Sequence, residues 1–210
     1  MFADRLDAGR QLAETLTAYK NCHGVVLGVP RGGVPVAYEV AHELNLPMDL
    51  VLAKKIGHPY NKEFAIGAVS LTDSIVSYQA GVDEAYIKTE TEAVREKLRS
   101  MKKRFAVKDS IDLKNKTVII VDDGIATGNT LMATIQLLRK QHPAKIIVAV
   151  PIAPPQAVYK LQKVADDVIT VLTESGMGSI GAYYEDFHQV TDEEVQFFLD
   201  NKTNEEFIAD

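Results

Sequence analysis

The sequence predicts an α/β fold: a doubly wound, mainly parallel sheet with helices on both faces. Two observations carry this expectation. Short apolar runs recur along the chain, VVLGV at 25–29, VIIV at 118–121 and IIVAV at 146–150, as strands buried on both faces read. Each run leads through a Gly- or Pro-containing turn into a segment with helically spaced apolar residues, the rhythm of strand–helix–strand units.

The elements follow in order. Leu6, Gly9, Ala13, Leu16 and Tyr19 recur at helical spacing behind Asp4 as N-cap, so 4–19 reads as a helix. The strand at 25–29 passes through PRGG into a helix marked by Val34, Ala37, Val40, Ala41 and Leu44. A strand is expected at 49–53, ending at Lys54 and Lys55, followed by a hairpin of 65–70 and 74–78 around Thr72 and Asp73. Residues 83–107 are rich in Glu, Lys and Arg, with Tyr86, Ile87, Val94, Leu98, Met101 and Phe105 as a sparse apolar stripe: a long, mostly exposed helix. The α/β rhythm then returns, with strands at 117–121, 145–150 and 167–172 and helices at 130–140 and 155–164. A Gly-rich aromatic stretch at 174–187 and an acidic helix at 192–200 close the chain. One domain over 1–210 is expected, with 56–116 as an insertion and 173–210 as a C-terminal appendage.

Bulk properties narrow the function classes. The composition, 46% hydrophobic and 25% charged over 210 residues, supports a core of ordinary size without staples. Cys22 is the single cysteine, which excludes an intrachain disulfide framework or a thiolate zinc cluster and fits the cytoplasm. No apolar run reaches membrane-spanning length, and the charged N-terminus is unlike a signal peptide. The net charge of −6 counts against nucleic acid as the main partner. A local basic run, KLRSMKKR at 97–104, reads most simply as a solvated helix face, with closure over a site or contact with a dimer partner as the alternatives.

The chemistry concentrates in VIIVDDGIATGNTL, residues 118–131. A buried strand runs into two adjacent carboxylates, Asp122 and Asp123. Next come Gly124, Ala126, Thr127, Gly128, Asn129 and Thr130, and then a helix. In open parallel sheets ligands bind at the carboxyl ends of strands. A small-residue loop opening a helix presents N–H groups to an anion. Carboxylates repel phosphate but bind vicinal hydroxyls and Mg²⁺, so a phosphorylated sugar satisfies both halves. The segment is neither a Walker loop nor G-x-G-x-x-G. A second segment, GVPRGG at 28–33, also joins a strand to a helix, with Arg31, Gly32 and Gly33 at its turn.

VIIVDDGIATGNTL resembles the donor-binding signature of type I phosphoribosyltransferases. The resemblance implies that Asp122 and Asp123 hold the ribose 2- and 3-hydroxyls and that 126–130 wrap the 5-phosphate. GVPRGG would be the diphosphate loop, with Arg31, Gly32 and Gly33 facing the leaving group. FADRLDAGRQLA, VPRGGVPVA, KEFAIGAV and YYEDFHQVTDEEV extend the likeness to a group of bacterial members whose acceptor is not established.

The resemblance further implies displacement of pyrophosphate from C1 of phosphoribosyl diphosphate by a nitrogen acceptor. Mg²⁺ would arrive with the substrate, and Arg31, Lys54 and Lys55 would act as cations on the leaving group. It also implies a flap within 56–116 and a hood in the C-terminal segment, where Tyr183 and Tyr184 would bind the acceptor base, although core packing is the simpler role for most of these aromatics. Many relatives dimerise. Ala126 departs from purine-specific members that carry a carboxylate there. The competing reading is a regulatory module that binds phosphoribosyl diphosphate or a nucleotide without catalysis. His58, His188 and Cys22 read as surface or packing residues, and no residue cluster points to a resident metal.

Overall fold

The computed structural model describes residues 1–76, 82–107 and 111–202. Helix α1 (Arg5–Thr15) is capped by the Asp4 carboxylate, which accepts from Asp7 N–H at 2.8 Å. It ends sooner than its apolar spacing suggests, and Thr17–Tyr19 form a short 3-10 turn. Strand β1 (Gly24–Gly28) is buried throughout and leads into α2 (Gly33–Leu44). Strand β2 (Met48–Leu50) follows, then β3 (Ala53–His58), β4 (Asn61–Ser70) and β5 (Ser74–Val76). The long helix α3 (Glu84–Arg104) precedes β6 (Thr117–Val121), α4 (Asn129–Leu138), β7 (Lys145–Ala153), α5 (Pro155–Leu161), β8 (Asp167–Thr173) and α6 (Asp192–Asp200).

Five strands form a parallel sheet in the order β2-β1-β6-β7-β8. The period-2 alternation of β6 divides the core between its two faces. Ile119 and Val121 pack with α1, α2 and α6 through Leu12, Val36, Val40 and Val195. Val118 and Ile120 pack with α4 and α5 through Leu131, Ile135 and Leu161. Helices therefore cover both faces, as the alternation of apolar strands and helices predicts.

The strand order also places the site. From β1 the chain winds outward to β2, and β6 returns on the other side of β1. The switch point thus lies between β1 and β6, whose carboxyl ends align with Gly28 opposite Val121.

Several strand boundaries differ from expectation. The run expected as one strand at 49–53 splits, because β2 loses its partner where β1 ends, Gly28 opposite Leu50 and Val51 N–H on Gly28 O at 2.9 Å. Ala53 instead begins β3 of an antiparallel sheet, order β3-β4-β5. Lys54 and Lys55 therefore lie within a strand, opposite Val69 and Ala68, not beyond a strand end. The strand expected at 145–150 continues as β7 through Pro151 to Ala153. Strand β6 has ended opposite Ala149 by then, leaving β7 one neighbour, where a residue without N–H is tolerated. The expected hairpin is present with a longer first strand, and the end of its second, at Tyr78, lies outside the described residues.

Helix α3 lays Ile87, Val94 and Leu98 on Ile56, Ile66 and Val69 of the small sheet. Its apolar stripe is therefore a packing face and the remaining sides stay polar. Cys22 is half-buried against the core, and burial pushes its thiol pKa up, away from the thiolate form.

Ile120 is fully buried in the central strand. Replacing it with Ala is expected to cost about 3–4 kcal/mol through lost burial and the cavity left behind. The check is a lower midpoint in urea at an unchanged slope; a midpoint within error of the parent would contradict the packing described.

Candidate functional site

Asp122 and Asp123 follow β6 directly. Asp122 Oδ1 accepts the Asp123 N–H at 2.9 Å. Asp123 is deeply buried, and its Oδ2 accepts from Arg5 Nε at 2.9 Å. Arg5, itself 7% exposed, also donates through Nη1 to His188 O at 2.8 Å, and its guanidinium lies 3.9 Å from the centre of the Phe187 ring. Tyr184 Oη donates to Asp123 O at 2.6 Å. The N-terminal helix, the strand end and the C-terminal segment thus meet on one aspartate.

The charges in this arrangement are unequal. Arg5 compensates Asp123. Burial, together with the adjacent negative charge of Asp123, pushes the Asp122 carboxyl well above its ordinary range, and Arg5 opposes this only in part. Burial and the same charge raise the Tyr184 phenol, so it remains a donor. His188 has two partners that its sequence context did not reveal. Nε2 is 2.9 Å from Glu194 Oε1 and Nδ1 is 3.1 Å from Asp186 Oδ1, and both carboxylates raise its pKa.

The loop after the dyad opens α4. Gly128 adopts φ +75°, a left-handed geometry that favours glycine, and serves as N-cap. The exposed Ala126, Thr127 and Thr130, with the half-buried Asn129, surround the helix N-terminus, where N–H groups and the dipole favour an anion. Gly124 packs under the C-terminal segment; a Cβ there would stand 2.6 Å from Ile180.

The turn after β1 presses on the dyad from the side. A Cβ at Gly33 would lie 2.7 Å from both Asp122 Cα and Val121 O, and one at Gly32 would land on the Asp123 carboxylate. Glycine is required here for close approach. Val29 N–H joins the two strand ends through Val121 O at 2.8 Å.

The structure does not bring all candidate residues together. Arg31 points toward the C-terminal segment, with Nη1 donating to Val190 O at 3.2 Å and Nε 3.2 Å from Asp192 Oδ1. Lys54 shares a cleft with Arg31, whereas Lys55 is not among the residues that line it; neighbours along a strand face opposite ways. Tyr184 is buried, with ring centres 4.8 Å from Phe187 and 5.2 Å from Phe2. Its ring is committed to packing and is closed to a stacked base, a correction to the acceptor role expected of it. Tyr183 is half-buried in a short turn beside it. Sequence reasoning missed Arg5 and Asp192. Arg5 carried a signal, since a cation in the first turn of a helix opposes the helix dipole and needs a partner.

Among the described residues no group of three or more His, Cys, Asp and Glu could hold a metal ion. The dyad commits one oxygen of each carboxylate within the protein, to Asp123 N–H and to Arg5. The remaining oxygens suit a cation held mainly by its substrate. No helix of the described residues is long and apolar enough to cross a membrane.

The family model described as "Phosphoribosyl transferase domain" matches residues 4–185. Two Mycobacterium tuberculosis proteins, each named "Putative phosphoribosyl transferase", are 39% identical over 206 residues. The alignment covers 95% of this chain and 46% of each of them, so the chain spans about half the length of these relatives. The crystal structure of TT1426 from Thermus thermophilus superposes with a TM-score of 0.89 at 39% identity, covering 97% of this chain and 99% of that one. The AQ2163 protein of Aquifex aeolicus shares the fold at 13% identity, with a TM-score of 0.52 over 84% of this chain and 78% of that one.

Two outcomes are expected. Arg5→Met leaves Asp123 buried without its cation and is expected to cost about 3 kcal/mol. Adding Asp123→Asn should restore part of the loss, read as a double-mutant cycle in denaturant; strict additivity would refute the coupling. Asp122 behaves oppositely. The folded state holds its proton more tightly than the unfolded chain does, so ionisation lowers stability as pH rises from the ordinary value of 3.8 through the raised folded value. Asp122→Asn is expected to melt higher than the parent at neutral pH, with the gap closing as pH falls toward about 4. A lower melting temperature at neutral pH would contradict this.

Proposed function

We propose that this chain, which belongs to the phosphoribosyl transferase domain family, binds phosphoribosyl diphosphate at the β1–β6 switch point and transfers its phosphoribosyl group to a nitrogenous acceptor. One observation carries the reading. The parallel pairing of β1 with β6 sets a carboxylate dyad, an anion-binding helix start and a glycine turn side by side.

Each part then has a task. The loop at 126–130 receives the 5-phosphate through backbone N–H groups and the Thr127 and Thr130 hydroxyls. Asp122 and Asp123 accept from the ribose hydroxyls, Asp123 held in one orientation by Arg5. Gly32 and Gly33 let the turn approach closely, and Arg31 and Lys54 supply positive charge for the diphosphate, with Lys55 further from it. An acceptor nitrogen forms a bond to C1 as the C1–oxygen bond breaks. The electron pair leaves with pyrophosphate, and the acceptor proton passes to solvent. Mg²⁺, bound with the diphosphate, would supply charge neutralisation there. The protein contributes orientation and a fixed electrostatic frame.

In this reading 1–210 form one domain, with 56–116 covering the site and 173–210 forming the hood in which Tyr183 stands nearer the acceptor than Tyr184. The cytoplasm is the proposed location, and a homodimer the proposed assembly. A regulatory module that binds the same ligand without transfer is the second reading. Ala126 is compatible with either reading, since it removes only the carboxylate that some purine-specific members carry there.

Calorimetry with phosphoribosyl diphosphate and Mg²⁺ is expected to show binding. Asp122→Asn/Asp123→Asn should weaken it about a hundredfold, as loss of two charge-assisted contacts implies. Absence of binding by the parent protein would refute the donor site. Pyrophosphate release with one member of a base panel supports transfer; binding without release across the panel supports the regulator.

A further inference from the structure

The basic run at 97–104 reads from sequence as a solvated face, but the fold turns part of it inward. Lys97 and Arg104 of α3 overhang a cleft of about 370 Å³ whose floor includes Arg31 of the turn after β1 and Lys54 of β3. Met101 and Phe105 give it an apolar wall, which weakens screening inside. Three separate elements therefore direct four cations into one concavity.

Among the described residues that line the cleft, a single carboxylate faces them. Asp192 accepts from Arg104 Nη1 at 2.8 Å and lies 3.2 Å from Arg31 Nε. Its Oδ1 is buried without a well-aligned hydrogen bond, so the Arg31 contact is attraction across a short distance without a directed bond. Lys54 and Lys97 form no ion pair among the described residues. Converging like charges in a cleft repel one another, and an anion relieves that repulsion. Asp192 relieves it for two of the four. It is held there by the start of α6, where Thr191 and Glu194 form a capping box.

We propose that this cleft is a binding site for an anion of linked phosphate groups, and that Asp192 is a built-in counter-ion with which that anion competes. The lining shares Pro30 and Arg31 with the turn after β1 but includes no residue of 122–130. The cleft is thus distinct from the sugar-phosphate loop. Linked phosphates can reach it from two sources: the diphosphate end of the donor proposed above, or a separate oligophosphate. Only the first source rests on that reading.

The test is calorimetry on the full chain with inorganic pyrophosphate and inorganic tripolyphosphate. Both are expected to bind. Lys97→Ala/Arg104→Ala should weaken both at least about tenfold, and Asp192→Asn should tighten both about threefold or more. Lys97→Ala alone disturbs no ion pair among the described residues and tests charge apart from folding, with melting curves as control. Prior saturation with phosphoribosyl diphosphate separates the sources. Exclusion of both anions assigns the cleft to the donor's diphosphate, and continued tripolyphosphate binding assigns it to a separate ligand. If the parent protein binds tripolyphosphate but not phosphoribosyl diphosphate, the cleft stands and the donor reading fails. Absence of binding by the parent, unchanged affinity in Lys97→Ala/Arg104→Ala, or weaker binding in Asp192→Asn would overturn the proposal.

Discussion

Gly28 of β1 stands opposite Val121 of β6, and the N–H of Val29 reaches the Val121 carbonyl just beyond. This parallel register sets every later feature of the site. It brings two turns, separated by almost a hundred positions in the chain, to the same height at one edge of the core. Because β1 leads outward to β2 and β6 leads the opposite way to β7, the helices that follow them, α2 and α4, leave to opposite faces of the sheet and open a gap between the two strand ends. The opening is a product of winding direction, and the side chains that border it are those that happen to end the two strands. The glycines of the β1 turn then allow backbone to rest against the β6 carboxylates where any larger residue would collide.

The dyad is held by an expensive device. A buried ion pair contributes little net stability, since desolvating both partners consumes much of the attraction. Its effect here is geometric. Arg5 takes one oxygen of Asp123, Tyr184 takes its carbonyl, and Phe187 and the His188 carbonyl hold Arg5 in turn. The C-terminal segment and the N-terminal helix are thereby fastened to the strand end. Asp122 is left as the strained member, desolvated beside a like charge with Arg5 too committed to relieve it. In the proposed reading, a ligand at this strand end would supply the missing compensation.

Helix α3 shows how one periodic pattern serves two ends. Ile87, Val94 and Leu98 seat it on the small antiparallel sheet. Once that stripe is docked, the rotation of the helix is set, and Lys97 and Arg104 face Arg31 and Lys54. Asp192 closes the arrangement from the far end of the chain. The excess of positive charge in this cleft arises although the chain as a whole carries a net charge of −6, so bulk charge is a poor guide to a local field.

Local pattern dictates the strand–helix rhythm, the doubly wound class and the two turns that flank the switch point, because these depend on short-range apolar periodicity and on glycine placement. It places the helix at 192–200 and the strand at 117–121 to the residue. Long-range packing sets what local pattern cannot carry. Whether DLVLAKK is one strand or two depends on where its partner β1 ends. Whether Pro151 ends a strand depends on which neighbours β7 still has. Arg5, Asp192 and the role of Tyr184 lie far in sequence from the residues they touch, and a contact over more than sixty positions leaves no periodic trace. The motif that opens with VIIVDD points to the ligand chemistry. Only the packing of remote segments fixes which carboxylate is held, which is strained and which cations face the cleft, since those outcomes are set by burial and long-range pairing.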